Sequence, residues 1–217
     1  MNLQQIYTAL PALLKGSVLT IELTILSVVF GLFIGLFLAL GRLSKNKILD
    51  KFCWIYIWLF RGTPLLMQIF FIYYALPLMV PALTLPQFPA ALIALSLNSG
   101  AYLAEIIRAA IQSIDKGQME ASKALGMSYG QAMKRIIIPQ SYRRLIPPVG
   151  NEFIMLLKDS ALVSVIAMTE LLRTTSQISN KTGNALIYIP SAILYLIMTT
   201  IFTYVFEKLE RKYSVYE

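Results

Sequence analysis

Five ionisable residues sit in otherwise apolar stretches of this chain: Glu22, Glu105, Glu152, Lys158 and Asp159. A charge at bilayer depth costs about 2.5–3.5 kcal/mol on insertion scales, so such residues mark pathways or ion pairs. Glu152 and Asp159 are seven residues apart, about 20° off one helical face. Two carboxylates on one side of a helix form an acidic stripe suited to a cationic solute. Glu152 has no adjacent cation in the sequence, which favours that role for it. Asp159 stays open between that role, an ion pair with Lys158 and a helix N-cap. Asn98, Tyr102 and Glu105 recur at i, i+4 and i+7 on a second face. Asn98 can hydrogen-bond a carboxylate or an ammonium group, and Tyr102 can stack on a guanidinium. Interhelical hydrogen bonding is the competing reading for both. Glu105 lies one turn from Arg108 and reads as a structural ion pair. Glu22 reads as reaching the membrane interface. Met67, Met155, Phe70 and Phe71 have helical spacings suited to core or lipid contact.

Other chemistries are absent. The chain has no histidine, which removes His-based metal sites, Ser-His-Asp triads and His proton relays. Its one cysteine, Cys53, allows no intrachain disulfide. No glycine is followed by lysine, so there is no phosphate-binding G-x-x-x-x-G-K-[ST] loop. Any ATP-derived energy must come from another polypeptide.

The elements that position these residues are membrane spans. Of 217 residues, 57% are hydrophobic and 14% charged, with a mean hydropathy of +0.66. A water-soluble domain cannot hide that much apolar surface, and a disordered chain would not carry it. Five stretches read as spans: 17–40, 64–80, 89–107, 148–168 and 185–206. Residues 52–60, with two Trp and one Tyr, read as an interfacial segment. Thr63 is expected to cap the second span and Pro64 to begin it, with Arg61 among headgroups and outside any solute site. Residues 1–15 read as an amphipathic start lying on the surface. No basic segment with a cleavage site marks a removable signal peptide.

Lys and Arg placement gives the orientation. Fifteen of the 19 lie after span one, between spans three and four, or in the tail, whereas Lys15, Arg173 and Lys181 lie on the other side. The net charge of +8 therefore reads as cytoplasmic loop charge rather than a nucleic-acid surface. The expected fold is an all-α membrane protein with five transmembrane helices, N-terminus outside and C-terminus in the cytoplasm. Residues 1–217 form one transmembrane domain. Within it, 108–145 make a cytoplasmic helix pair: 111–125 with breaks at Gly117 and Gly126, then 129–138 stopped by Pro139.

In that connection stands Glu120-Ala121-Ser122-Lys123-Ala124-Leu125-Gly126, then nine residues, then Ile136-Ile137-Ile138-Pro139. This resembles the EAA motif of permease subunits in bacterial ATP-binding-cassette (ABC) importers, with Ser122 for the third small residue and Ile138 for Leu. Arg61-Gly62-Thr63-Pro64-Leu65-Leu66, Ala104-Glu105-Ile106 with Arg108, Pro139-Gln140 and Leu156-Leu157-Lys158-Asp159-Ser160 resemble the polar amino-acid branch of that family. The resemblance covers nearly the whole chain.

It implies a type I importer permease in the bacterial inner membrane, without covalent chemistry or a cofactor of its own. ATP and Mg would be bound by partner ATPase subunits, docked on a coupling helix through Glu120, Ala121, Ser122 and Gly126. Other implied partners are a second permease subunit, identical or different, an extracytoplasmic amino-acid-binding protein and membrane lipid. The acidic stripe then points to basic amino acids, with Glu152, Asp159, Asn98 and Tyr102 as binding residues. Glutamine or glutamate as solute is the alternative within the family. Outside it, an ion-gradient-driven secondary transporter would use membrane carboxylates without a docking element, but no internal repeat is found. A membrane-embedded enzyme would lack histidine as its acid–base residue.

Overall fold

The computed structural model describes the backbone of residues 3–213 and the side chains of residues 6–213. Among the described residues every regular element is helical. Helix α1 spans Leu3–Arg42, and α2 spans Lys47–Gly62. Helix α3 (Leu65–Met79) contains a π-helical turn at Phe71–Ala75. Helix α4 spans Gln87–Gln112, and the short α5 spans Lys116–Ala124. Helix α6 (Ile138–Asp159) is preceded by Tyr129–Ala132 and a π-helical turn at Met133–Ile137. Helix α7 spans Leu171–Thr182, and α8 spans Tyr188–Tyr213.

The centre of the fold is the α1–α4 pair, which runs in parallel with small residues at the seam. A Cβ on Gly35 would meet Leu103 Cβ at 2.9 Å, and one on Gly100 would meet Ile34 Cγ2 at 2.7 Å. Ala94, Ala101 and Ala104 continue that face of α4 and are fully buried. In a bilayer, where lipid tails are as apolar as side chains, such close packing holds helices together. Gly35→Val is therefore expected to destabilise the fold by about 1–3 kcal/mol, as overpacking does. The readout is thermal unfolding in detergent, and an unchanged midpoint would contradict the seam. Helix α6 packs on α8 in the same way: a Cβ on Gly150 would meet Phe206 at 2.8 Å, and Phe153 lies 4.5 Å from Phe202 ring to ring.

Several sequence expectations change. Residues 3–15 do not form a separate surface segment. They continue α1 without a break, with Leu13 fully buried, while residues 1 and 2 lie outside the described residues. Residues 52–60, read as an interfacial segment, are not a separate element. They belong to α2, which rises against α4, where the Tyr56 hydroxyl donates to the Leu97 carbonyl at 2.9 Å. The chain then bends by 104° between Gly62 and Leu65. Thr63 ends α2 rather than capping α3, and its hydroxyl donates back to the Leu59 carbonyl at 2.8 Å. Pro64 holds the N-cap position of α3 instead of its first helical position.

The fourth expected span, 148–168, is displaced. Its helix starts at Ile138, ends at Asp159 and passes into a 3₁₀ stretch, Ser160–Ile166. The helix expected to stop at Pro139 runs on, because the π-helical turn before it widens the backbone where the ring would meet the preceding turn. Among the described residues, three helical stretches are long and apolar enough to cross a membrane: Ile6–Arg42, Gln87–Gln112 and Ala185–Tyr213. The bent α2–α3 pair passes the same test only when its two helices are taken together. Helix α6 falls short on composition, since it carries Arg143, Arg144, Glu152, Lys158 and Asp159.

Candidate functional site

The break between α2 and α3 opens backbone groups within an apolar stretch of the chain. The carbonyls ending a helix have no intrahelical partner, and no water replaces one in hydrocarbon. Two side chains satisfy them. The Gln68 amide nitrogen donates to the Phe60 carbonyl at 2.9 Å, the Thr63 carbonyl at 3.1 Å and the Thr63 hydroxyl at 2.9 Å. The Asn98 amide nitrogen donates to the Phe60 carbonyl at 3.1 Å and to the Gln68 side-chain oxygen at 3.0 Å. The break is thus pinned to the middle of α4.

Arg61, at the end of α2 beside the break, remains exposed. A cavity of about 370 Å³ is lined by Arg61, Thr63, Asn98, Tyr102, Glu152 and Asp159, among others. All four sequence-derived binding candidates meet in this space. The Arg61 guanidinium lies 5.2 Å from the Tyr102 ring centroid, a cation–π arrangement, and Arg61 Nη1 lies 4.0 Å from Glu105 Oε2. Arg61, expected among headgroups and outside any solute site, thus also lines the cavity that holds the carboxylates.

Each candidate has a distinct setting. Glu152 is half-buried, and its Oε1 accepts from the Ser99 hydroxyl at 2.9 Å. Asp159, also half-buried, closes the end of α6, while Lys158 beside it is exposed. Tyr102 offers its ring face to Arg61. Asn98 lines the cavity, but its amide nitrogen is committed to the break, so its structural role is fully occupied. Glu105 forms the expected pair with Arg108, with Arg108 Nε donating at 3.0 Å and Nη2 at 2.6 Å. Glu22 is exposed, in keeping with an interfacial position.

Sequence reading missed Ser99, Gln68 and Glu170. Ser99 and Gln68 act on partners tens of residues away, and no local pattern marks such pairs. Glu170 did carry a local signal, a carboxylate directly before an apolar helix start. It is fully buried and caps α7, accepting from the amides of Leu172 at 2.7 Å and Arg173 at 2.6 Å and from the Tyr195 hydroxyl at 3.1 Å.

The protruding element is also defined. The Asp115 side chain caps α5 by accepting from the Gly117 amide at 2.7 Å, and Gly126 ends it with φ 77°. Glu120, Ala121 and Gly126 are exposed. Ser122 is buried, and its hydroxyl donates to the Gln118 carbonyl at 2.6 Å, so it faces inward. The Arg144 guanidinium donates to the Ser113 carbonyl at 2.6 Å, tying α6 to the end of α4 beside this element. Among the described residues, no group of three or more Cys, Asp or Glu side chains is arranged to hold a metal ion.

Residues 8–215 match the family described as the binding-protein-dependent transport system inner membrane component. The chain is 43% identical over 208 residues to the L-cystine transport system permease protein TcyB of Bacillus subtilis, covering 95% of this chain and 88% of that one. It is 40% identical over 207 residues to the arginine transport system permease protein ArtQ of the same organism, covering 94% and 93%. It is 37% identical over 211 residues to the glutamine transport system permease protein GlnP of Escherichia coli, covering 97% and 96%. Among solved structures, an amino acid ABC transporter with histidines superposes with a TM-score of 0.91 at 40% identity, covering 98% of this chain and 99% of that one. The MetNI methionine ABC transporter superposes with a TM-score of 0.78 at 20% identity, covering 94% and 97%, a likeness of fold.

Proposed function

This chain belongs to the family of binding-protein-dependent transport system inner membrane components, and from that premise we propose that it forms the translocation pathway for basic amino acids. The coarser role, an ABC-type amino-acid permease subunit, follows from the relatives. They give no support to an ion-gradient-driven transporter. The choice of solute class rests on one observation: Arg61, Glu152 and Asp159 share a cavity.

An α-amino acid with a cationic side chain presents one carboxylate and two cations. The cavity presents one guanidinium and two carboxylates. Arg61 takes the solute carboxylate, and Glu152 and Asp159 take the side-chain cation and the α-ammonium by charge-assisted hydrogen bonds. Tyr102 offers a solute guanidinium the ring face that Arg61 does not cover. A neutral side chain leaves a carboxylate unpaired at membrane depth, which penalises the wrong solute. Relatives named for cystine, arginine and glutamine transport share the fold, so selectivity resides in a few cavity residues.

The remaining machinery follows the same reading. Five membrane passes, counting the bent α2–α3 pair and α6, put the N-terminus outside and the 108–145 element in the cytoplasm. There α5 docks ATPase subunits, which bind ATP and Mg. Glu120 and Ala121 face the partner, Gly126 sets the end of the helix, and Ser122 holds it from within. A second permease subunit completes the pathway, and an extracytoplasmic binding protein delivers the solute. Helix α6 carries both Arg144, at the cytoplasmic element, and Glu152 and Asp159, at the cavity. Motion of α5 thereby reaches the solute through one rigid element, the basis of alternating access.

The test is a purified permease–ATPase complex incubated with a mixture of all common amino acids, washed and assayed for retained solute. Arginine, lysine or histidine should be retained above the others. Selective retention of glutamine, glutamate or cystine would overturn the basic-solute reading.

A further inference from the structure

A second polar cavity, of about 440 Å³, lies across Arg61 from the solute cavity and is lined by Arg42, Arg108, Trp54 and Trp58 together with Glu105. Of its lining the solute reading uses Arg61 alone. Its charges do not balance. The Glu105 carboxylate is bonded to Arg108 and also faces Arg61 at 4.0 Å. Arg42 pairs through Nη1 with Asp50, yet its buried Nε finds no hydrogen-bond partner. Counting Arg61, which also borders the solute cavity, three guanidinium groups thus meet two carboxylates.

The rim indicates what the missing anion carries with it. The indoles of Trp54 and Trp58 stack at 6.1 Å and are exposed, as aromatic residues at a lipid interface are. The outer face of α2 continues them with exposed Ile48, Phe52, Ile55 and Leu59. Lys45, Lys47 and Lys51 stand exposed at the turn below. An occupant that fits has a phosphate for the guanidinium cluster, a body against the indoles and chains along an apolar helix face. We propose that this cavity binds the headgroup of an anionic phospholipid of the cytoplasmic leaflet. Basic pockets between membrane helices on that side suit such headgroups. The proposal rests on the orientation given above, with the α1–α2 turn in the cytoplasm. Labelling of a Lys45→Cys variant from one side of sealed vesicles reads that orientation separately.

The test places the permease–ATPase complex in nanodiscs containing equal phosphatidylcholine and phosphatidylglycerol. Native mass spectrometry then counts the lipids that stay bound. Wild type should retain phosphatidylglycerol roughly ten-fold over phosphatidylcholine. The Arg42→Gln/Asp50→Asn double variant, which leaves no unpaired carboxylate, should lose that preference. Asp50→Asn alone frees the guanidinium and should keep or raise it, whereas loss in Asp50→Asn would reduce Arg42 to an ion-pair partner and overturn the proposal. Equal retention of both lipids by wild type would overturn it too. A parallel sample in detergent with inorganic phosphate separates the sources: phosphate that displaces phosphatidylglycerol at comparable concentration would assign the site to a soluble anion and end the lipid reading.

Discussion

Glu152→Gln is expected to cut arginine and lysine uptake by roughly 10- to 150-fold, the loss of one charge-assisted hydrogen bond worth about 1.5–3 kcal/mol. The substitution keeps size and shape. Its amide oxygen still accepts from the Ser99 hydroxyl, which stands 2.9 Å away, so α4 and α6 stay in register and assembly is little affected. The charge alone is removed. On the proposed reading, a basic solute and Glu152 neutralise each other in the wild-type cavity. In the variant, the solute cation enters without its partner. Glu105→Gln is the informative contrast. It takes one partner from the bidentate Arg108 pair and from Arg61, so it should lower stability before it changes solute preference. Uptake into vesicles with arginine, lysine, histidine and glutamine in parallel reads both variants. Unchanged arginine uptake in Glu152→Gln would make Glu152 a structural partner of Ser99 and nothing more.

Ala121→Trp should abolish solute-stimulated ATP turnover while leaving solute binding at the cavity intact. Ala121 is exposed on α5, whereas the adjacent Ser122 is buried on the inner side. An indole there adds bulk only where a partner surface would approach. A second variant reaches the same element through the backbone. Gly126 ends α5 at φ 77°, and a β-branched residue held there costs of order 1–3 kcal/mol. Gly126→Val is therefore expected to distort the end of α5 and weaken ATPase capture, though less than Ala121→Trp. Co-purification with the ATPase and its turnover in vesicles distinguish the two. Normal capture and normal coupling in both variants would remove the docking role from this element.

The parts of the molecule legible in sequence are those set by local pattern. The apolar runs behind α1, α4 and α8 are long enough to be read from composition. Glu105 and Arg108 are one turn apart, so their pair follows from helical spacing. Gly126 at a helix end follows from its tolerance of positive φ. Local rules fail where distant residues decide. Thr63-Pro64 fits a helix start, yet Thr63 closes the preceding helix, because Gln68 and Asn98 reach over to satisfy Phe60 and Thr63. That one difference sets the break, with Arg61 just before it, at the wall of the cavity. Likewise Pro139 reads as a stop, but a π-helical turn admits it, and the helix carries on to Asp159. The four binding candidates were found because two helical faces each repeat near 3.6 residues. Ser99, facing Glu152 from another helix, has no counterpart in any local spacing.

The central claim is that ATP drives basic amino acids through the cavity formed by Arg61, Glu152 and Asp159. Its most direct measurement is uptake of labelled arginine into sealed vesicles holding the reconstituted permease, ATPase and binding protein, with ATP supplied and all ion gradients collapsed. Arginine should accumulate in the wild type, unlabelled lysine should compete and glutamine should not, and Glu152→Gln should fall to near background. Accumulation of glutamine or cystine in place of arginine, or arginine uptake that persists in Glu152→Gln, would contradict the account.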